Sequence, residues 1–448
     1  MEYVNLGDSG LKVSRIIMGC MTFGSKKWAP WLLEEEEALP LFEYAYKAGI
    51  NTWDTADAYS NGKSEELICK ALKKYNIPRS RVVIMTKLYF PVNEDGDEPL
   101  IQGKNDGPLV NRMGLSRKHI MDAVAASVKR LGTYIDVLQI HRLDRETPKE
   151  EIMHALNDVI ESGDVRYIGA SSMAAWEFQQ LQNIAEKHGW FKFISMQNLY
   201  NLLYREEERE MIPYCQATGV GLVPWFAVAA GILTRPWDDK STDRAKTDQF
   251  LKLILTEDTA ETDSEIVNRV EELSKKKRVP MAQIALAWSV SHKGVNPILG
   301  LSKPERIDEA VAALKVKLTE EEIKYLEEPY KPKTETPTAP IYMYHGRVDE
   351  LLPYNVALNA GHKWANLGAN VLFQEDTDDI SGHILTELIN VPNVMFFAQD
   401  RFAGKSFSKG FTKRNVINGL ANPLRSLAGL GELMGSIEDF IWKRGWPG

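Results

Sequence analysis

Four residues in the first third of the chain fit a single chemistry: Asp54, Tyr59, Lys87 and His141. A phenol titrates near ~10 and is a poor acid at neutral pH. An ammonium beside it stabilises the phenolate, lowers that pKa and makes the hydroxyl a usable proton donor. A carboxylate within reach holds the ammonium in place, and an imidazole opposite donates a hydrogen bond to a carbonyl oxygen. A carbonyl polarised in this way accepts hydride at carbon and a proton at oxygen, so the partner these four residues require is a nicotinamide. Taken singly, each has an ordinary structural reading: a turn cap, a rim aromatic, a surface charge, a core histidine. Together, at or just past the ends of three neighbouring strands, they point to one task.

The elements that must position them follow from alternation along the chain. From about residue 15 to 315, short β-rich runs alternate with helical periodicity, the signature of βα units and a parallel sheet. The strand expectations are Arg15–Cys20, Asn51–Asp54, Val82–Lys87, Ile135–His141, Val165–Ala170, Phe193–Gln197, Gly221–Pro224 and Val295–Leu299. Helices are expected over Glu34–Ala48, Ser64–Tyr75, Arg117–Leu131, Lys149–Ile160, Ala174–Lys187, Glu206–Ala217, the long stretch Glu261–Ser291, and a last one over Lys303–Leu314. Eight such units predict an α/β fold of the closed (β/α)8, or TIM, barrel type. An open doubly wound sheet is the runner-up, but the G-x-G-x-x-G turn it normally carries is missing from the sequence.

Tyr3–Leu6 and Lys12–Arg15 flank a Gly-Asp-Ser-Gly turn and read as a hairpin ahead of the barrel. Two long connections, Pro91–Ser116 and Trp225 to about Ala260, follow strands and have the length of functional loops. Trp28, Trp31, Tyr89 and Phe90, after the first and third strands, line an aromatic substrate pocket or pack as a rim; the pocket reading favours aryl or polyketide-derived carbonyls over sugars. Ser302 with Glu305 reads as a capping box, with Pro304 in the first turn. A helix N-terminus carrying Lys303 and Arg306 suits a dianionic phosphate, which favours the 2′-phosphate of NADPH over NADH.

The composition of the 448 residues, 44% apolar and 26% charged, is that of a globular chain and excludes a disordered or collagenous one. The net charge of -8 gives no electrostatic reason to bind nucleic acid. The longest apolar run, Val220–Leu233, contains Pro224 and as a helix would span only about 21 Å of the ~30 Å hydrocarbon layer, so no membrane span is expected. No basic or apolar leader is visible after Met1, and Cys20, Cys69 and Cys215 form neither a disulfide framework nor a metal motif, so a cytoplasmic protein with no metal is expected.

Longer stretches of text resemble the aldo-keto reductase superfamily. They are Gly49–Tyr59, Ile84-Met85-Thr86-Lys87, Leu138–Asp144, Ile168–Met173 and Gln197–Asn201. The resemblance covers residues 1 to about 332, and within the superfamily is to the fungal aryl-alcohol dehydrogenase and versiconal hemiacetal acetate reductase branch. It implies the barrel, NADPH, Tyr59 as acid, Lys87 and Asp54 as its tuning pair, and His141 as the group that orients the carbonyl. It also implies that Ser171, Ser172 and Gln197 hold the carboxamide, that Trp225 stacks on the nicotinamide, and that Phe226, Gly231, Gly300, Ser302, Lys303, Arg306 and Glu309 belong to the cofactor site. One departure is serious. Where the family usually reads Ser-Pro-Leu-Ala-x-Gly, this chain has Phe226-Ala227-Val228-Ala229-Ala230-Gly231, so a hydroxyl beside the pyrophosphate is lost and weakened cofactor affinity is expected.

The domain expectation is a barrel over 1–328, a Pro-rich linker over 329–340 and a separate segment over 341–448. In the last, Ile341–Tyr344 and Ala369–Gln374 read as strands, Tyr354–Leu367 as a helix, and 417–441 has apolar residues at helical spacing. Residues of about 338–410 resemble the C-terminal part of fungal secretory lipases, of the α/β-hydrolase class. By that resemblance Asp349 and His383 stand where a triad acid and base would be. The nucleophile elbow G-x-S-x-G that must precede them is missing from the sequence, so the segment reads as an incomplete domain fused to the barrel. Three functions remain open at this point: an NADPH-dependent reductase in secondary metabolism acting on a small carbonyl compound, a cofactor-binding barrel of weak turnover that serves as a sensing or interaction module, and a hydrolase working through Asp349 and His383. Oligomeric state is not encoded in any of these features.

Overall fold

Strands buried on both faces read as near-continuous apolar runs, and the segments that flank Asp54, Lys87 and His141 are of that kind. The computed structural model describes residues 1–94, 96–100, 103–239, 259–331, 341–346, 354–366, 371–376 and 411–416. β1 (Tyr3–Asn5) and β2 (Lys12–Ser14) form the antiparallel hairpin. β3 (Ile17–Gly19), β4 (Thr52–Asp54), β5 (Val83–Leu88), β6 (Ile135–Ile140), β7 (Val165–Ser171), β8 (Phe193–Gln197), β9 (Gly221–Leu222) and β10 (Ile298–Leu299) make one parallel sheet, ordered β10-β3-β4-β5-β6-β7-β8-β9. It closes on itself: Leu222 bridges Val295, and the Ile298 amide donates to Pro224 O at 2.9 Å. The fold is the expected (β/α)8 barrel with an N-terminal hairpin.

The hairpin belongs to the barrel interior. Leu6 and Val13 pack with Ile17, Val83, Met85, Val137, Val223 and Ile298, residues near the starts of the strands, and so close that end. Gly7 is obligatory there: its φ is +58°, and a Cβ would lie 2.3 Å from Gly219 O.

Helices α1 (Glu35–Lys47), α2 (Lys63–Lys74), α3 (Arg117–Leu131), α4 (Lys149–Glu161) and α5 (Ala175–His188) stand within two residues of their expected limits. The segment at 206–217 divides into a single 3-10 turn, Glu206–Glu208, and α6 (Met211–Thr218). The long stretch to Ser291 is two helices, α7 (Ala260–Lys277) and α8 (Met281–Ser291), rather than one. Arg278 turns left-handed at φ 56°, and Pro280 disfavours a helical residue before it. α9 (Pro304–Ala313) is followed by α10 (Glu320–Glu327), a helix outside the sequence expectations. Its signal is the capping box: the Glu322 amide donates to Thr319 Oγ1 at 3.2 Å and the Thr319 amide to Glu322 Oε2 at 3.0 Å.

The chain divides into two compact units, Met1–Lys333 and Thr334–Gly448. The end of the first is fixed by Tyr330, whose hydroxyl donates to Glu206 Oε1 at 2.7 Å and accepts from the Arg205 amide at 2.8 Å. In the second unit β11 (Ile341–Gly346), β12 (Val371–Asp376) and β13 (Phe411–Val416) pair in parallel, with α11 (Tyr354–Asn366) between the first two in sequence. β13 is the strand that sequence reading missed. Asp349, His383 and the 417–441 periodicity lie outside the described residues. Among those that are described, no helix is long and apolar enough to cross a membrane.

Candidate active site

Successive strand ends present the polar side chains. Asp54 ends β4, Lys87 is the penultimate residue of β5, His141 follows β6, and Ser171 and Gln197 end β7 and β8. In a parallel barrel these C-terminal ends share one face.

Lys87 and Asp54 are buried as a pair. Lys87 Nζ donates to Asp54 Oδ2 at 2.5 Å, to Thr55 O at 2.9 Å and to Tyr59 Oη at 3.3 Å. An ammonium has three protons and no acceptor, so all three donors are used and Tyr59 must be the acceptor in the third bond. Its own proton is therefore directed elsewhere. The other oxygen of Asp54 accepts from Gln139 Nε2 and Gln197 Nε2, both at 2.9 Å. Gln197 Nε2 also donates to Gln139 Oε1 at 2.9 Å. A buried ion pair holds its geometry only when its remaining valences are satisfied, and here two glutamines satisfy them. Gln139 was not among the sequence candidates. The signal for it was period 2 along β6, which sets Gln139 on the same face as His141.

The His141 ring stands perpendicular to Tyr59 and to Phe90, with centroids 5.8 and 5.1 Å away. Burial, then the Lys87 and Arg142 charges, holds its pKa well below the usual histidine value, so the ring is neutral at pH 7. Its Nδ1 is buried without a hydrogen-bond partner. Burial dominates at Tyr59 too. Lys87 pulls the phenol down as expected, but desolvation outweighs it and the net shift is upward, a correction to the simple ammonium argument. At Lys87, burial alone would lower the pKa; Asp54 and Tyr59 together outweigh it and raise the value, so the amine stays charged.

A cavity of about 310 Å³ opens from these groups. Among the residues that line it are Tyr59, His141, Trp31, Phe90, Ser171, Gln197, Trp225, Gly231, Gly300, Arg306 and Glu309. Phe226 is also among the residues that line this space. Six expected members of the site, Trp28, Lys87, Tyr89, Ser172, Ser302 and Lys303, are not among the described lining residues. Trp28 is buried, and Tyr89 packs edge-on against Phe90 at 5.1 Å. Ser172, also off the cavity wall, donates its amide to Gln197 O at 3.2 Å, while Ser171 Oγ donates to the same oxygen at 2.7 Å. The capping box at Ser302 is not formed. Lys303 is the N-cap of α9, and Ser302 Oγ instead accepts from Arg306 Nη1 at 2.8 Å, which directs that guanidinium.

Two arginines of the cavity wall, Arg142 and Arg235, escaped sequence reading because residue type alone does not say which way a cation faces. Arg235 lies beside the turn at Gly231, where a Cβ would meet its Nη1 at 3.0 Å. The segment before it is strained: Phe226, Ala229 and Ala230 have φ of 62°, 48° and 52°, a region that costs non-glycine residues about 1–2 kcal/mol each. Such strain concentrates at ligand-holding segments. Asn201 Nδ2 supports it by donating to Phe226 O at 3.0 Å. Among the described residues, no group of three or more His, Cys, Asp or Glu is placed to hold a metal ion.

Comparison with known proteins adds two family matches. A profile described as the aldo/keto reductase family matches residues 15–331, and one described as secretory lipase matches residues 303–410. Versiconal hemiacetal acetate reductase of Aspergillus parasiticus is 65% identical over 336 residues, 74% of this chain and 98% of that protein. A putative aryl-alcohol dehydrogenase of Saccharomyces cerevisiae is 56% identical over 337 residues, 74% of this chain and 98% of its own length. An aldo-keto reductase of Fusarium vanettenii is 48% identical over 344 residues, 74% of this chain and 92% of its own.

Proposed function

The chain belongs to the aldo/keto reductase family and is an oxidoreductase of carbonyl groups; on that premise we propose that it reduces an aryl or polyketide-derived aldehyde or ketone to the alcohol with NADPH. The observation that carries this reading is the third bond of Lys87, which fixes Tyr59 Oη as acceptor and leaves its proton for the substrate.

The residues present fit a nicotinamide cofactor. The wall of Ser171, Gln197 and Trp225, and the left-handed turns at 226–231, of the kind that gathers backbone N–H groups toward an anion, are its expected surroundings. When bound, the dihydronicotinamide supplies hydride to the carbonyl carbon. The neutral His141 ring donates a hydrogen bond that orients the carbonyl oxygen. Tyr59 Oη gives its proton to that oxygen as charge develops there, and Lys87 stabilises the phenolate left behind. Asp54, braced by Gln139 and Gln197, keeps Lys87 charged and aimed. Trp31 and Phe90 exclude water and favour an aromatic body. Arg306, tied by Ser302, and Arg235 supply cations for the cofactor phosphates.

The test is aldehyde-dependent oxidation of NADPH and NADH by the purified full-length chain and by Arg306→Gln. The reading expects NADPH to be strongly preferred by the parent, and the variant to weaken NADPH binding by about tenfold or more while NADH is little affected, as for loss of one charged hydrogen bond. Equal use of both nucleotides by the parent contradicts the NADPH assignment. No oxidation of either with any aryl aldehyde contradicts the reductase assignment.

A further inference from the structure

The cavity has cations at two places, and the reaction accounts for only one of them. Arg306 and Arg235 are the cations assigned above to the cofactor phosphates. Arg142 stands with the catalytic groups: it directly follows His141 and lines the cavity with Tyr59, Trp31 and Phe90. It is half-buried, and among the described residues its guanidinium donates one hydrogen bond, from Nη1 to the neighbouring His141 O at 2.6 Å, and meets no carboxylate. Other half-buried arginines of this barrel are better satisfied: Arg79 pairs with Asp136 at 2.6 Å, Arg130 with Glu65 at 2.6 Å and Arg205 with Glu208 at 2.7 Å, while Arg15 donates to Val295 O, Asn296 Oδ1 and Val290 O. A guanidinium has five donors in a planar fork that matches a carboxylate, and removing it from water without a partner is costly. An anion entering the cavity offsets that cost.

Resting on the reductase reading of the same site, we propose that Arg142 anchors the substrate: the carbonyl compound taken here carries an ionised oxygen acid, a carboxylate or acidic phenol, on an aromatic body. His141 and Arg142 are adjacent in sequence, so the carbonyl and the anion are held within the length of one small molecule. The aromatic walls take the ring, and the fork takes the acid. A neutral analogue leaves the guanidinium unpaired and is disfavoured for that reason.

The experiment compares 2-, 3- and 4-carboxybenzaldehyde with their methyl esters, for the full-length parent and for Arg142→Gln, with benzaldehyde measured alongside to report any change in the chemistry common to all. For at least one isomer the parent is expected to favour the acid over its ester by about tenfold or more in kcat/KM, mostly through KM, and the ratio falls to about one in the variant. An acid-to-ester ratio that is the same in both proteins overturns the proposal. So does uniform slowing of every substrate with that ratio intact, which would mean that Arg142 acts only on the electrostatics of Tyr59 and His141. Should the parent reduce no aldehyde at all, the reductase reading fails and the anchor is judged by calorimetric binding of benzoate against benzamide. Preferential benzoate binding that is lost in Arg142→Gln upholds it; no preference, or a preference kept by the variant, overturns it.

Discussion

The site turns on how one lysine spends its three protons. With Asp54, Thr55 and Tyr59 as acceptors, Lys87 has no freedom to rotate and Tyr59 has no choice of role. Burial raises the phenol's pKa, so its proton is in place across the neutral range, and the ammonium lowers the cost of giving it up. Replacing Lys87 with Met removes both the tuning and the counter-charge of Asp54. The variant is expected to lose activity and about 3–5 kcal/mol of stability, because a buried carboxylate is left uncompensated; denaturant unfolding beside turnover measures the two losses. Retained stability with lost activity would restrict Lys87 to chemistry. The four catalytic candidates were legible in the sequence because three fall at or beside strand ends and Tyr59 opens the short turn just past β4. The aromatics were legible only as a group: Trp31 reaches the cavity and Trp28, three residues earlier, is buried elsewhere, a difference that spacing in a loop cannot express.

At the scale of elements, alternation alone fixed the order of strands and most helices, since a period of two or of 3.6 is a local property. What escaped depends on individual backbone decisions: the break at Pro280, the cap at Thr319, and the start of α9 at Pro304 rather than a turn stapled by Ser302. The left-handed residues at 226, 229 and 230 were equally invisible, because their types do not demand that conformation. The loop after β8 is anchored by Glu207, which accepts from Asn198 Nδ2 at 2.7 Å. Burial is the main cause that pushes the Glu207 pKa up to about 7. A carboxyl raised in the native state binds more protons folded than unfolded between its two pKa values. Its contribution is therefore fully present below about pH 4.5 and is lost as pH rises through 7. Glu207→Gln should leave stability near pH 4.5 unchanged and raise it at pH 8 by about 1–2 kcal/mol, a shift discounted for partial exposure. Thermal unfolding across that range checks it; identical profiles for both proteins would contradict the assignment.

For the whole molecule, the four candidate catalytic groups all lie in one unit, Met1–Lys333. The two family matches overlap at 303–331, and those residues form α9, α10 and the Tyr330 contact, all parts of the barrel unit. Among the described residues, the lipase likeness beyond them covers β11, β12 and α11 and ends at residue 410, before β13, and the sequence offers it no nucleophile elbow. Activity should accordingly depend on Tyr59 alone as acid. The most direct measurement is single-turnover oxidation of bound NADPH by an aryl aldehyde, in the full-length chain and in Tyr59→Phe, with NADPH affinity read from tryptophan quenching in both. Cofactor binding is expected to change little and the hydride-transfer rate to fall by about 10²–10⁴-fold in the variant. A variant that oxidises NADPH as fast as the parent would contradict the role of Tyr59 as acid.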